Sequence, residues 1–438
     1  MADSMGRRAF LALSGSAAFL AGSGTELEAA SPTPATGLPT GSRFKAPVGA
    51  SDPELFAAAR REFLFPTDIA YCNTGTLGAM PREVLEAQTG ELTRLEAELP
   101  DWPYYTQIGA PLTGYQPREE IRADVARFIG ADMEEIALTQ NATMSMNFLA
   151  NGMTYTPGDE ILFTDQEHGG SFGPYRLMAK RHGAVVREID LDAAVAGGPE
   201  GVLQAFDDAI TPRTRVLMFS QITSSFGYRL PTRELCRLAK DRGIFCIVDG
   251  AQVLGQEPVD VKELGCDAYV SSPHKWLLAP KGTGILYIER SRQEELWATL
   301  GSYNFDNRDD GAFRFMQYGT GSPAKITGLK AAMDFNRELG TQRISDWNRA
   351  MTAQLHEGLR EIPNLRIWSS THPEMYGGAT TFGLQNKTAD ELQDALWEEK
   401  IRVRAQRNNR RVRLCAHLYV SPDDIAKTLD VVRRLERA

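Results

Sequence analysis

The feature that most constrains the fold is a series of short apolar runs, each nearly unbroken, separated by amphipathic helical patterns. The runs cover residues 135–139, 160–164, 215–219, 244–248 and 284–288. Continuous apolar runs are typical of strands buried on both faces, whereas half-exposed strands alternate apolar and polar residues. Between two runs, residues 231–242 begin with proline and are followed by glycine, as expected of a crossover helix. We therefore predict an α/β fold with a large, mostly parallel sheet.

The C-terminal part of the chain has a different pattern. From about residue 330 a long polar helix is followed by short strands near 365 and 380 and by helices from Ala389 and Pro422. This order predicts a smaller α+β domain packed on the first. We place the large α/β domain, with an N-terminal segment, at 54–330 and the small domain at 331–438.

The first residues have the features of an export signal. Arg7 and Arg8 precede an apolar stretch with a small-residue exit at Ala29 and Ala30, which favours a twin-arginine signal over 1–30 and a periplasmic location. An ordinary secretory signal or a weak N-terminal helix is the alternative. Residues 31–53 are rich in Pro, Thr, Gly and Ser, and we predict a disordered linker there.

Composition narrows the class of partner. The chain has 48 Lys and Arg against 57 Asp and Glu, a formal charge of −9, which disfavours nucleic acid. The apolar run near the N-terminus is too short to span a bilayer comfortably, so we expect no integral membrane contact. The 5 cysteines are scattered without C-x-x-C spacing, which disfavours a disulfide framework or a zinc site, and we expect no metal.

Reactive side chains follow the apolar runs, and ligands bind beyond the carboxyl ends of parallel strands. The run 244–248 ends in Asp249, and the next run ends in a segment that contains Lys275. A lysine supplies the amine for a Schiff base with pyridoxal phosphate, and a buried carboxylate keeps the pyridine nitrogen of that cofactor protonated. The pair therefore predicts a pyridoxal phosphate site. Lys281 is the competing amine, but it lies in a turn before a strand.

Three segments now carry a family resemblance. Tyr71–Gly78 (YCNTGTLG), Val248–Gln252 (VDGAQ) and Ser272–Lys275 (SPHK) together resemble the class V aminotransferase family, especially its members similar to isopenicillin N epimerase. The resemblance implies the fold type I architecture of pyridoxal phosphate enzymes and a homodimer with sites at the subunit interface.

The same resemblance assigns individual roles. Lys275, Asp249 and His168 are the expected catalytic residues, with His168 stacked on the pyridine ring. Ala142 and Thr143 open a helix, whose free amides also favour phosphate on physical grounds. The remaining implied residues are Ser272, His274 and, from the neighbouring subunit, Thr320 for the phosphate, Gln252 for the phenolic oxygen, Ser224 for the cofactor, and Asn73 and Arg413 for the substrate.

One departure from the family concerns cysteine. Cysteine desulfurases of the family have a nucleophilic cysteine on the loop before the substrate-binding arginine, and residues 405–409 here contain none. Cys415 lies inside an apolar strand pattern, where a thiol is usually a core residue. Persulfide chemistry is therefore not expected.

The sequence predicts a pyridoxal phosphate-dependent, aminotransferase-like enzyme that transforms the amino group or α-carbon of an amino acid. Seven basic residues and no acidic one occupy 400–413, which suggests an acidic peptide or siderophore as substrate, although a solvated basic face is the alternative. Epimerase, racemase and lyase activities share the same residues and remain open. A nicotinamide dehydrogenase is disfavoured because no G-x-G-x-x-G follows a strand, and a non-catalytic protein would not need both Asp249 and Lys275.

Overall fold

The protein is described by a computed structural model that covers residues 41–98, 119–302, 305, 308–406 and 410–438. The strands are β1 (Ala70–Tyr71), β2 (Ile136–Thr139), β3 (Glu160–Thr164), β4 (Val185–Ile189), β5 (Thr214–Ser220), β6 (Phe245–Asp249), β7 (Ala268–Ser271), β8 (Gly284–Ile288), β9 (Leu365–Ile367), β10 (Ala379–Leu384), β11 (Ile401–Arg402), β12 (Arg404–Gln406) and β13 (Arg411–Cys415). The α-helices are α1 (Asp52–Arg60), α2 (Arg82–Glu98), α3 (Glu119–Ile129), α4 (Ala142–Gly152), α5 (Gly169–His182), α6 (Leu191–Val195), α7 (Gly198–Ala209), α8 (Thr232–Asp241), α9 (Val261–Leu264), α10 (Pro323–Leu339), α11 (Thr341–Arg360), α12 (Ala389–Glu398) and α13 (Pro422–Arg437). None of these helices is long and apolar enough to cross a membrane.

The large sheet has the predicted architecture. Its strands, among the described residues, follow the order β2-β8-β7-β6-β5-β3-β4, and neighbours are parallel except where β8 pairs antiparallel with β2 and β7. Every residue of β3, β6 and β8 is buried. Because β8 is as fully buried as the parallel strands β3 and β6, its apolar pattern could not reveal its reversed direction.

Local sequence signals explain where the covering helices begin and end. The helix α8 starts after Pro231, buries Leu235, Cys236 and Ala239, and is followed by Gly243, which has a left-handed φ of 67°. The chain reverses there at low cost because glycine has no Cβ to clash. This helix is the crossover between β5 and β6 that the sequence predicts.

The C-terminal elements form the predicted α+β unit. An antiparallel sheet in the order β12-β13-β10-β9 packs against α11 and α12, and α13 packs on the same two helices. The strand and helix starts agree with those expected near 365, 380, Ala389 and Pro422. The helix α10 begins at Pro323 and packs against α2.

The N-terminal segment packs with these C-terminal elements. The strand β1 pairs in parallel with β11, and Leu55 and Phe56 of α1 share a hydrophobic core with Leu355 and Leu429. From the sequence we group this segment with the large domain, whereas in the structure it pairs and packs with C-terminal elements.

The linker prediction for 31–53 requires correction over 41–53. The hydroxyl of Ser42 and the backbone amides of Arg43 and Phe44 donate hydrogen bonds to the carboxylate of Glu83, and α1 already begins at Asp52. A Pro- and Ser-rich composition predicts poor burial, but this carboxylate satisfies three donors of the segment. Residues 1–40, including the predicted signal, lie outside the described residues.

Candidate active site

Two adjoining cavities lie at the carboxyl ends of the large-sheet strands. The inner cavity has a volume of about 520 Å³ and the outer cavity about 600 Å³. Both are lined by His168, Ser224, Arg404 and Arg413. The predicted site residues on the inner cavity are Ala142, Thr143, His168, Ser224, Asp249, Gln252, Ser272, His274, Lys275 and Arg413. Asn73 lines the outer cavity, so the fold brings together residues that are distant in sequence.

Asp249 ends β6 as a buried, hydrogen-bonded carboxylate. It is 4% exposed, and it accepts hydrogen bonds from the Ser171 hydroxyl of α5 and from the Ala251 amide, the latter at 2.8 Å. These donors satisfy the carboxylate oxygens and fix their orientation. The site therefore offers a fixed negative charge to a protonated ring nitrogen.

Lys275 follows β7 and faces the same cavity. Its Nζ makes no hydrogen bond to the described residues. Burial lowers the pKa of Lys275 to about 8, and Arg413 and Arg404 also lower it, whereas Asp249 opposes the shift. A substantial fraction of this amine is therefore neutral near pH 8, as a nucleophile or base requires. Lys281 does not line either cavity.

The start of α4 lines the inner cavity. Asn141 caps the helix by accepting from the Met144 amide at 2.8 Å, and the Ala142 amide donates to Ser272 Oγ at 3.0 Å. His274 Nδ1 contacts the Thr283 carbonyl oxygen at 3.0 Å. The positive end of a helix dipole favours a phosphate group, but the Ala142 amide that we predict to contact the phosphate is bonded to Ser272 in this structure.

Protonation of His274 bears on its predicted role. Burial lowers the pKa of His274 to about 4, so the free imidazole is neutral. With Nδ1 donating to a carbonyl, Nε2 carries no proton. His274 must therefore gain a proton before it can donate to a phosphate, and a bound dianion would favour that change.

His168 is fixed at the start of α5. Its Nδ1 accepts from the Gly170 amide at 3.0 Å, which leaves the proton of the neutral ring on Nε2. Burial and the nearby Lys275 lower its pKa. A Cβ on Gly170 would lie 2.1 Å from Thr143 Oγ1, so glycine at 170 allows the starts of α4 and α5 to meet beside this ring.

Gln252 is oriented by two neighbours. Its Nε2 donates to the Gly75 carbonyl oxygen at 3.0 Å, and its Oε1 accepts from Trp276 Nε1 at 2.8 Å. A Cβ on Gly75 would lie 2.9 Å from Gln252 Oε1 and 3.2 Å from Arg413 Cζ. Glycine at 75 therefore allows the loop 73–78 to pack closely against the side chains of Gln252 and Arg413. The second N–H of Gln252 could donate to a cofactor oxygen.

Arg413 is the most unusual charge in the site. It is 2% exposed, and its Nε is buried without a hydrogen-bond partner among the described residues. Its Nη1 donates to the Ser224 carbonyl oxygen and its Nη2 to Thr76 Oγ1 at 2.8 Å. The side chain makes no ion pair with the described residues. The structure thus uses the backbone of Ser224, which we had assigned to the cofactor, to hold this arginine.

Thr320 lies apart from the predicted site residues. It is exposed and lines neither cavity. Its predicted phosphate contact comes from a neighbouring subunit, so the role stays a prediction.

Sequence reasoning missed several residues of the site. Thr76 lines the inner cavity, and Ser171 holds Asp249. Arg404, which we include from the sequence only as a member of the basic run 400–413, lines the inner cavity as well. Glu167 is 7% exposed and accepts from Thr164 Oγ1 and from both the hydroxyl and amide of Ser220. Burial raises the pKa of Glu167 to about 7 against those hydrogen bonds. In the sequence, the only feature that could have identified Glu167 as a site residue is its position next to His168.

All cysteines of the chain are buried and free. Burial raises the pKa of Cys72 and Cys266, and the hydrogen bond that the Cys246 thiol donates to Cys236, together with burial, raises that of Cys246. Buried thiols with raised pKa values are poor nucleophiles.

These residues fit pyridoxal phosphate. The inner cavity holds a lysine amine, a buried carboxylate, a helix start and a histidine ring, which suit the aldehyde, ring nitrogen, phosphate and ring face of the cofactor. When bound, the cofactor supplies an electron sink for breaking bonds at a substrate α-carbon. Lys275, Asp249, His168 and the start of α4 are the residues of the inner cavity that would hold it.

Comparison with known proteins places the chain in a family. The family model "Aminotransferase class-V" matches residues 79–423. The isopenicillin N epimerase of Streptomyces clavuligerus is 31% identical over 396 residues, which cover 86% of this chain and 97% of that protein. A cysteine desulfurase of Salmonella agona (strain SL483) is 28% identical over 349 residues, covering 77% and 83%.

Solved structures share the fold. The apo cysteine desulfurase of Thermococcus onnurineus NA1 has a TM-score of 0.73 at 23% identity, covering 87% of this chain and 98% of that chain. A C-DES variant with glycine covalently linked to its pyridoxal phosphate also has a TM-score of 0.73 at 23% identity, covering 86% and 98%. The chain therefore belongs to the class-V aminotransferase family of pyridoxal phosphate-dependent enzymes.

Proposed function

We propose that the enzyme acts at the α-carbon of an amino acid that carries a free α-carboxylate and belongs to a larger acidic substrate. The observation that carries this proposal is the buried guanidinium of Arg413, which lines the inner cavity beside Lys275. Its Nε has no hydrogen-bond partner, and the side chain has no acidic partner, among the described residues. A planar guanidinium binds a carboxylate through two parallel hydrogen bonds. A substrate carboxylate would supply the missing negative charge.

The outer cavity supports the larger, acidic substrate. Its volume of about 600 Å³ adds to that of the inner cavity, which leaves room for groups beyond one amino acid. Arg402, Arg404 and Arg413 line it, and its one described acidic side chain is Glu167, whose pKa is raised to about 7 by burial. A positive field of this kind favours acidic substrates and steers their approach.

From the sequence we treat the basic residues of 400–413 as one group, whereas in the structure only some of them line a cavity. Arg410 lines neither cavity, and Arg411 stacks on Phe226. The arginines to test are therefore Arg402 and Arg404. Arg407 lies outside the described residues.

Lys275 is the residue placed to move a proton at the α-carbon. It provides the lysine amine of the inner cavity, and its pKa of about 8 allows it to accept a proton near neutral pH. Removal of the α-hydrogen is common to transamination, epimerisation and elimination. Epimerisation is the second candidate, supported by the similarity to isopenicillin N epimerase. Persulfide transfer is disfavoured because every cysteine is buried.

The test is exchange of the α-hydrogen in D₂O. We would incubate the holoenzyme with a panel of L-amino acids, with γ-glutamylglutamate and with γ-glutamylglutamine, which lacks one of its three carboxylates, and measure deuterium uptake by mass spectrometry. We expect γ-glutamylglutamate to exchange roughly tenfold faster than γ-glutamylglutamine at low salt, with the advantage shrinking at higher ionic strength. Keto-acid release and loss of optical activity then separate the reactions. Absence of exchange with every compound would refute the proposal.

We also propose export to the periplasm by the twin-arginine route, where the substrate would be an acidic peptide or a siderophore. The support is the Arg7-Arg8 pair and the apolar stretch after it. Fractionation of cells that express the full chain should place the enzyme in the periplasm, and replacing both arginines with lysine should retain it in the cytoplasm. Equal distribution of the two forms would contradict this route.

We further propose a homodimer in which Thr320 contacts the cofactor phosphate of the neighbouring subunit. The support is its exposure and its absence from the lining of both cavities of its own chain. Light scattering should give twice the chain mass, and Thr320→Ala should weaken cofactor binding without changing that mass. A monomer with full cofactor affinity would exclude the role.

A further inference from the structure

The two arginines that line both cavities are joined by one hydroxyl group. Arg404 lies on β12 directly opposite Arg413 on β13. Thr76 Oγ1 accepts from Arg413 Nη2 at 2.8 Å and from Arg404 Nη1 at 3.4 Å. The same oxygen donates its proton to Asn73 Oδ1 at 2.7 Å. A hydroxyl has one proton and two lone pairs, so every hydrogen-bonding position of Thr76 is used.

Without an anion between them, the two guanidinium groups repel each other and leave one buried N–H without a partner in the described part of the chain. Like charges directly opposite on paired strands destabilise a sheet, and neither Arg404 nor Arg413 forms an ion pair with the described residues. Arg404 is exposed, and partial burial of its guanidinium group together with the charge of Arg413 lowers its pKa. The buried Nε of Arg413 adds an unsatisfied donor. A negative group between the two guanidinium groups would remove these costs together.

We propose that Arg404 and Arg413 bind one substrate carboxylate jointly and that Thr76 is the positioning residue that sets their spacing. The inference rests on the proposed function for the origin of the carboxylate. Thr76 does not react. Because Asn73 takes its proton, both lone pairs point at the arginines, and the two guanidinium groups are held towards the junction of the cavities.

The test measures binding of succinate, a dicarboxylate with no amino group, to the holoenzyme by calorimetry. We expect Thr76→Val, which replaces the hydroxyl with a methyl group, to weaken succinate binding roughly tenfold, the usual effect of losing a hydrogen bond to a charged group. Thr76→Ser keeps the hydroxyl and should stay within about threefold of wild type. Thr76 is exposed, so these variants should fold.

Two further variants separate positioning from charge. Arg404→Gln should weaken succinate binding at least as much as Thr76→Val. The double variant should lose less binding free energy than the sum of the two single losses, because part of the effect of Thr76 acts through Arg404 and part through Arg413. Arg410→Gln is the matched control: it removes the same charge from an exposed residue that lines neither cavity, and it should leave binding unchanged.

Three results would overturn the joint binding of a carboxylate by Arg404 and Arg413. They are no succinate binding to wild type, wild-type affinity in Thr76→Val, or a loss of affinity in Arg410→Gln equal to that in Arg404→Gln. The first two leave the proposed function intact if α-hydrogen exchange still occurs, because succinate has no amino group to react. Loss of exchange with intact succinate binding would refute the proposed function alone.

Discussion

The two sides of the active site differ in how their charges are balanced. On the sheet wall, formed by the strand ends that carry Asp249 and Lys275, a carboxylate faces an amine, and Ser171 and Ala251 hold the carboxylate. On the arginine wall, formed by β12 and β13, Arg404 and Arg413 have no described acidic partner. A resident cofactor needs a site that is complete without substrate, whereas a transient substrate can bring its own charge. The sheet wall therefore fits the cofactor and the arginine wall the substrate.

The strongest test of this division is removal of the amine from the sheet wall. Lys275→Ala should lower turnover by roughly 10³-fold or more, because it removes both the attachment point of the cofactor and the base. Wild-type protein should be yellow, and borohydride should fix the cofactor to a single lysine peptide containing Lys275. The measurements are steady-state turnover and peptide mass mapping.

Lys281 provides the matched control for this experiment. It lies in the turn before β8, outside both cavities, and Lys281→Ala should keep its colour and turnover. Recovery of the borohydride label on Lys281 would show that the attachment point is wrong.

The second test removes the carboxylate of the sheet wall. Asp249→Ala should fold but bind the cofactor far more weakly and lose most turnover, since breaking a desolvated charge pair costs on the order of 3 to 5 kcal/mol. Cofactor affinity by fluorescence titration is the measurement. Near wild-type turnover would exclude the role.

The arginine wall predicts the converse behaviour for its own residue. Arg413→Gln should lose carboxylate binding and keep cofactor affinity, and Asp249→Ala should do the reverse. If both variants lost the same property, the two walls would not be functionally separate.

The sequence predicted the sheet wall better than the arginine wall. Asp249 ends β6 and Lys275 follows β7. The apolar runs of these buried strands are local signals, and β6 and β7 are parallel neighbours, so the convergence of the two residues follows from the topology. The family resemblance supplied Arg413. Arg404 and Thr76 meet only because β12 pairs with β13 and the loop 73–78 folds onto both, and no local pattern encodes such a contact.

Two further differences between the sequence-based predictions and the structure have specific physical causes. The direction of β8 could not be predicted because an antiparallel strand buried on both faces has the same apolar pattern as its neighbours. Residues 41–53 have a linker composition, but Glu83 of α2 binds the segment through three hydrogen bonds. Both features depend on residues distant in sequence, as does the predicted role of Thr320, which requires a second chain.

The smallest effect is expected at Glu167, which lies where the two walls meet. Its side chain lines the outer cavity and accepts from Ser220, which lines the inner one. Burial raises its pKa in the folded protein to about 7, and the charge of Asp249 adds to this effect, whereas hydrogen bonds from Ser220 and Thr164 oppose it. The stabilisation from the protonated group is complete below the unfolded-state pKa and is lost as the pH rises through the folded-state value, because only the folded protein holds the proton in that range.

Glu167→Gln removes this titration while keeping the shape of the side chain. Between pH 5 and 8 we expect the Tm of wild type to fall by a few degrees more than that of the variant, since the shift amounts to at most about 3 kcal/mol. Thermal unfolding of the holoenzyme at several pH values is the measurement. Parallel curves for the two proteins would mean that Glu167 stays in one protonation state throughout, and the outer cavity would then carry a constant charge on this side.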